Sequence, residues 1–270
     1  MIRIAAVQMH PAFGDPQGNR ARARALIESC EADLYVLPEL YATGYLFLDR
    51  QETASYAEPF PDGETIRSLC ELSAATGSVV VAGYPERSAE GRVYNSAAVV
   101  DAGDPLFSYR KIHLFDHERS WFDPGDRPPQ VIETSVGRIG PMICFDWIFP
   151  ETARCLALAG AQILVHCANL VLPYCQDAMI TRCIENRVFA VTANRIGTDE
   201  RGDASLTFTG RSQLTGHHGE RLVQASLDRE EVIVSEITPE EADDKQVTPR
   251  NHIVSDRRPG LYGQLTRQRI

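Results

Sequence analysis

The sequence predicts an α/β protein, and three observations carry that prediction. Short apolar runs rich in Val, Ile and Leu alternate along the chain with longer stretches whose apolar residues recur at helical spacing. Gly, Pro and Asp punctuate the joins between them. No internal repeat, linker or low-complexity segment divides the chain, so residues 1–270 read as a single domain.

Ile2 to Met9 reads as a buried strand. Asn19 to Ala32, with Leu26, Ile27 and Cys30 on one side, reads as a helix whose Arg20, Arg22 and Arg24 form a solvated face. Leu34 to Leu37 is a second short strand, stopped by Pro38-Glu39. Asp62 is the expected N-cap of a helix bearing Ile66, Leu69, Cys70 and Leu72, which Gly77 ends. Ser78 to Gly83, Val93 to Asp101 and Leu106 to Arg110 are strand-like runs between turn residues. Lys111 to Pro129 is polar, aromatic and irregular, the kind of long loop that often carries function. Arg138 to Ile143 is a strand running into Cys144, and Pro150 opens a helix through Ala159. Gln162 to His166 is a strand, Cys175 to Arg187 a helix and Val188 to Thr192 a strand. Leu206 to Ser212, Arg221 to Gln224 and Val232 to Ile237 are the last strands. The polar tail, 238–270, has no core of its own and is expected to pack on the body or on a partner subunit.

Composition excludes several functions. With 27 basic and 37 acidic side chains the net charge is −10, and no basic cluster is dense enough to track a phosphate backbone, so no nucleic-acid partner is expected. No run approaches the roughly 18 uninterrupted apolar residues of a membrane span. The N-terminus lacks an apolar signal region, so a cytoplasmic protein is expected. Seven cysteines, with no CxxC pair, fit neither a disulfide scaffold nor structural zinc. No GxSxG, HExxH, P-loop or GxGxxG motif occurs, and His217-His218 on a turn does not make a metal site unaided. Neither a metal nor an organic cofactor is expected.

Among the cysteines, Cys144 has a special setting. Gly140-Pro141-Met142-Ile143 delivers it at the end of an apolar strand, and Phe145 to Pro150 leads to a helix. Such an elbow can project a nucleophile and aim backbone N–H groups at an oxyanion, although local sequence alone favours a core cysteine. Two ionisable residues also sit where strands stop: Glu39 in Leu37-Pro38-Glu39-Leu40 and Lys111 in Tyr109-Arg110-Lys111-Ile112. Their spacing, 72 residues from Glu39 to Lys111 and 33 from Lys111 to Cys144, requires the fold to assemble them.

These segments resemble the nitrilase superfamily of carbon-nitrogen hydrolases. Gln8, Pro38-Glu39-Leu40 with Gly44-Tyr45, Tyr109 to Leu114, Pro124-Gly125-Asp126, Cys144-Phe145-Asp146, Pro150-Glu151 and Ala193-Asn194-Arg195 fall in the family's order along nearly the whole chain. The resemblance implies a four-layer αββα sandwich and at least a homodimer paired through a helix face near the nucleophile. It also implies a Glu-Lys-Cys triad. Glu39 would be the general base and Cys144 the nucleophile that forms a thioester. Lys111 and the Phe145 N–H would stabilise the tetrahedral intermediate. Glu118 matches a second pocket glutamate, with a surface carboxylate paired to His117 or Arg119 as its alternative. Glu151 and Arg154 read as an intrahelical ion pair. Cys155, Cys167, Cys175 and Cys183 read as core or interface residues.

The residues after the nucleophile narrow the substrate. Trp147, Ile148 and Phe149 stand where acid-binding relatives carry arginine, and Val171, Leu172 and Pro173 add no countercharge. A pocket of Tyr45, Phe145, Trp147, Phe149 and Asn169 suits a short neutral aliphatic amide, split to ammonia and a carboxylic acid. An aliphatic nitrile or a carbamoyl compound is the alternative substrate, and a catalytically silent binding protein the non-enzymatic one.

Overall fold

The computed structural model describes residues 1–267. The last three residues of the expected tail, 268–270, lie outside the described residues. Two six-stranded sheets face each other. In spatial order the first contains Glu231–Ile237, Ile2–Gln8, Leu34–Val36, Val79–Arg87, Val93–Asp101 and Asp104–Arg110. The second contains Arg221–Gln224, Gln213–Thr215, Phe189–Ala193, Ile163–Cys167, Gly137–Ile143 and Ile132–Thr134. Each has three parallel strands at its centre with antiparallel strands outside them.

Alternation along the strands builds the layers, because successive side chains of a strand point to opposite faces. Ile4, Ala6, Leu34, Val36, Val79 and Val81 face the second sheet, where Ile139, Ile163 and Val165 meet them. Their neighbours Ala5, Val7, Tyr35, Val80 and Ala82 face outward against Ala23, Ile27, Ile66 and Leu69. Those residues lie on the helices Pro16–Glu28 and Glu64–Thr76. The helices Pro150–Leu158 and Cys175–Asn186 cover the second sheet, so the expected αββα order is present. The parallel strands have one consequence for function: their carboxyl ends gather at one rim, where α/β sheets bind ligands.

Several expectations need correction. The helix expected after Asp62 has Gly63 as its N-cap residue, and the Thr65 N–H is met instead by Glu58 Oε2 at 2.7 Å. The expected strand Leu206 to Ser212 is interrupted, because Gly210 (φ +55°) and Arg211 (φ +54°) are both left-handed and cannot continue a ladder. Pairing stops at Thr207 and resumes at Gln213. The helix Arg50–Tyr56, started by Asp49 accepting from the Glu52 N–H, was not expected. Among the described residues Glu151 and Arg154 do not form the expected ion pair; burial lowers the Arg154 guanidinium, and Glu185 opposes it. Of the cysteines expected in the core or at an interface, Cys167, Cys175 and Cys183 are in the core, and Cys155 is exposed in the single chain, as an interface residue would be.

Within the described tail, Asp243 pairs with Arg138 and accepts from Gln162 at 2.9 Å. Lys245 Nζ donates to the carbonyls of Asn186 and Arg187 at 2.9 and 2.8 Å, closing the end of the helix Cys175–Asn186. No helix among the described residues is long and apolar enough to cross a membrane.

Candidate active site

The rim of the first sheet carries charge. Glu39 lies just beyond Leu34–Val36 and Lys111 just beyond Asp104–Arg110, both buried. Lys111 Nζ donates to Glu39 Oε1 and to Glu118 Oε1, each at 2.7 Å. Backbone contact fixes this approach. A Cβ on Gly83 would come within 2.5 Å of the Glu39 Cα, and one on Gly125 within 2.3 Å of the Arg110 carbonyl. Gly125 also donates to the Lys111 carbonyl at 2.8 Å, which accounts for the Pro124-Gly125-Asp126 motif together with the bidentate Arg110–Asp126 pair at 3.0 Å.

Glu118 is fully buried, so the alternative of a surface carboxylate is overturned. Besides Lys111 it accepts from Tyr45 Oη at 2.8 Å and from the Phe115 N–H at 3.0 Å. Burial raises the Glu118 carboxyl, and Lys111 pulls it back only in part. Burial pulls the Lys111 ammonium down, but Glu118 and Glu39 outweigh it and hold the group above the usual lysine range. Two carboxylates around one ammonium leave an excess negative charge, and the Glu118 carboxyl is pushed up to about 7.

The rim of the second sheet carries strained backbone. Cys144 follows Gly137–Ile143 with φ +40°, left-handed for a residue with a side chain, at a cost of about 1 kcal/mol. A 3₁₀ turn, Cys144–Ile148, then leads through Phe149 into the helix Pro150–Leu158. Buried Asp146 holds the turn: its Oδ2 accepts from the Ile143 N–H at 3.0 Å and from Tyr109 Oη at 2.8 Å, and its Oδ1 lies 2.8 Å from His113 Nδ1. Tyr109 belongs to the first sheet, so this carboxylate also ties the two rims together. Burial pushes the Cys144 thiol well above its ordinary pKa, Glu39 adds to the rise and Lys111 opposes it. The resting thiol is therefore neutral and needs a base to become a nucleophile.

Cys144 Sγ lies 3.7 Å from the Asn169 carbonyl, and the thiol opens on a cavity of about 10 Å³, the space of roughly one water. Phe115, Phe145, Trp147, Asn169, Leu170, Val171 and Leu172 line it with Cys144. Of the expected pocket residues, Phe145, Trp147 and Asn169 are at this cavity, whereas Tyr45 lies behind Glu118. Phe149 is turned away, stacked on His113 at 3.7 Å in a neighbouring cavity of about 400 Å³ that shares the Phe145 wall. Asn169 bridges the rims, its Nδ2 donating to the Glu39 carbonyl at 2.8 Å. That bond fixes the amide's orientation, since only the NH₂ side can donate. Asn169 Oδ1 is then buried without a donor, as is Glu39 Oε2 without a partner. No cluster of His, Cys, Asp and Glu among the described residues could hold a metal.

Sequence reasoning missed Asn95, whose Nδ2 donates to Glu39 Oε1 at 2.7 Å, and did not assign a task to Asp146 or His166. The available signal was polarity out of place. Asn95 lies in the apolar strand Val93–Asp101, and His166 lies in Ile163–Cys167.

Two facing sheets that bring a buried glutamate and lysine to a cysteine elbow define a hydrolase of the nitrilase superfamily. The chain belongs to the carbon-nitrogen hydrolase family, whose model matches residues 3–245. It is 43% identical to a nitrilase of Pyrococcus abyssi over 97% of this chain and 99% of that protein. It is 34% identical to an (R)-stereoselective amidase of a Pseudomonas species, over 98% and 94% of the two chains. A carbon-nitrogen hydrolase from Helicobacter pylori has the same fold, with a TM-score of 0.91 at 27% identity, covering 100% of this chain and 99% of the other.

Proposed function

We propose that the protein hydrolyses a small, neutral aliphatic amide through an acyl-Cys144 thioester. The observation that carries the chemistry is Lys111 Nζ held at 2.7 Å from both Glu39 and Glu118, in a charge field that also reaches the Cys144 thiol. Glu39 takes the thiol proton as sulfur attacks the amide carbon. The carbonyl π pair moves to oxygen, where Lys111 and the Phe145 N–H stabilise it. Collapse breaks the C–N bond, and Glu39 returns the proton to nitrogen so that ammonia leaves. Water then gives a proton to Glu39 and attacks the thioester, releasing the acid, and sulfur recovers its proton. Glu118, anchored by Tyr45, keeps Lys111 in place.

The buried Asn169 Oδ1 supports the amide. An amide nitrogen can donate to it, whereas a nitrile nitrogen has no hydrogen to give. The narrow, uncharged walls of Trp147, Leu170, Val171 and Leu172 support a compact, neutral acyl group. The relative from Pyrococcus abyssi, named a nitrilase, favours a second reading, a short aliphatic nitrile attacked by the same thiol. Seven free thiols suit a reducing cytoplasm, and exposed Ile148, Leu158 and Ile184 suit a homodimer through the helix face beside Cys144. We take the chain as one hydrolase domain, its tail available to the partner subunit.

Incubation with propionamide and propionitrile, with ammonia release and intact mass as readouts, tests this directly. Turnover of propionamide, a transient acyl adduct and loss of both in Cys144→Ala are expected. Turnover of the nitrile alone would replace the amide reading, and full activity in Cys144→Ala would remove the mechanism.

A further inference from the structure

The carbonyl of the nucleophile has a partner that the reaction does not consume. His166, fully buried in the strand Ile163–Cys167, places Nε2 2.9 Å from the Cys144 carbonyl oxygen and Nδ1 3.3 Å from Thr192 Oγ1. A carbonyl only accepts, so Nε2 carries the proton, and Nδ1 is left to accept from the Thr192 hydroxyl. Thr192 thus selects the tautomer that can hold Cys144. Burial keeps the imidazole below its ordinary pKa and hence neutral, so the contact is a fixed dipole rather than an ion pair.

The partner matters because of what shares the peptide plane. The Cys144 C=O and the Phe145 N–H are the two ends of one planar trans unit and point in opposite directions. Fixing the carbonyl therefore fixes the direction of the N–H. Cys144 has φ +40°, a conformation that residues with a side chain leave unless the surroundings hold them. Asp146 holds the preceding Ile143 N–H at 3.0 Å, and His166 holds the following carbonyl, so the elbow is secured on both flanks of the sulfur. We propose that His166 is a positioning residue for the oxyanion hole: by holding the Cys144 carbonyl it aims the Phe145 N–H at the oxygen of the tetrahedral intermediate. The inference rests on Cys144 as nucleophile and on the Phe145 N–H as oxyanion donor.

Three probes separate aiming from packing. Propionamide turnover requires the oxyanion. Propionaldehyde adds the thiol across its C=O to give a thiohemiacetal, whose C–S bond forms as the carbonyl pair moves to oxygen, so it requires the hole as well. Iodoacetamide alkylates sulfur by displacing iodide and builds no oxyanion. In His166→Phe, kcat is expected to fall at least tenfold with KM within twofold, and inhibition by propionaldehyde to weaken by a similar factor. Alkylation of Cys144 by iodoacetamide should stay within twofold. His166→Gln, whose side-chain N–H can replace Nε2–H, should recover most of the loss. Unchanged kcat, or alkylation falling in parallel with kcat, would overturn the inference. Should His166→Phe not fold, Thr192→Val decides by the same pattern: a smaller loss of kcat with unchanged alkylation supports it, and wild-type kcat overturns it. Cys144→Ala keeps the two levels apart. If it remains active the nucleophile assignment fails, whereas if it is dead and His166→Phe retains full kcat only the role of His166 fails.

Discussion

The two rims of the active site solve different problems. The rim of the first sheet gathers three buried ionisable groups, Glu39 and Lys111 just beyond its strands and Glu118 on a short helix that follows, whose charges are tolerable only in one another's company. The second sheet contributes a thiol whose resting form is neutral, on a backbone that is strained but pinned by Asp146 and His166. In the first rim stability and chemistry are inseparable, because removing the ammonium strands two carboxylates in a low-dielectric site. In the second they separate, since the sulfur can be removed while the elbow stays held.

The sharpest way to break this contrast is Lys111→Met. It leaves Glu39 and Glu118 buried without a cation and is expected to lower unfolding free energy by about 3–5 kcal/mol in urea, besides ending turnover. Cys144→Ala should end turnover with a stability change of no more than about 1.5 kcal/mol, as for other deletions of one buried heavy atom. Equal losses in the two variants would refute the contrast.

Glu118→Gln sharpens it through pH. The Glu118 carboxyl is raised in the fold, so the folded state binds more protons than the unfolded one between the ordinary carboxylate range and about 7. Stability from this group is therefore present at low pH and is lost as pH rises through that window. Urea titrations at several pH values should show a steeper fall for the wild type than for the glutamine variant.

On the second rim, Asp146→Asn keeps the shape but weakens three contacts, with the Ile143 N–H, Tyr109 and His113. A loss of about 1–3 kcal/mol is expected in thermal or urea unfolding. The smallest effect has the opposite sign. Cys144→Gly should be more stable than Cys144→Ala by about 1 kcal/mol, because glycine accepts φ +40° without strain, offset in part by the looser unfolded chain.

How much of this was legible depended on whether the signal was local. Val93–Asp101 matches its expected limits because turn residues bracket an apolar run, and Pro150 marks the first residue of its helix. Arg50–Tyr56 is short and polar, with buried Thr53 but no apolar stripe, and gave no periodic signal. Glu39, Lys111 and Cys144 were reachable through family resemblance, since no spacing rule joins residues this far apart. Glu118 reads locally as a surface carboxylate, and only the fold buries it against Lys111. Phe149 lies five residues beyond the nucleophile yet faces another cavity, because the 3₁₀ turn rotates it onto His113.

The distribution of thiols has a practical consequence. Cys155 is exposed on the helix Pro150–Leu158, Cys30 and Cys70 are half-buried, and Cys144 lies at the bottom of a narrow opening. In a free subunit a bulky maleimide will therefore reach Cys155 before Cys144, whereas pairing through the helix face that Cys155 shares with Leu158 would shield it. A single modified cysteine in a mass spectrum is not a measure of inactivation in this protein. A Cys155→Ser background with a small electrophile turns the same measurement into an active-site titration.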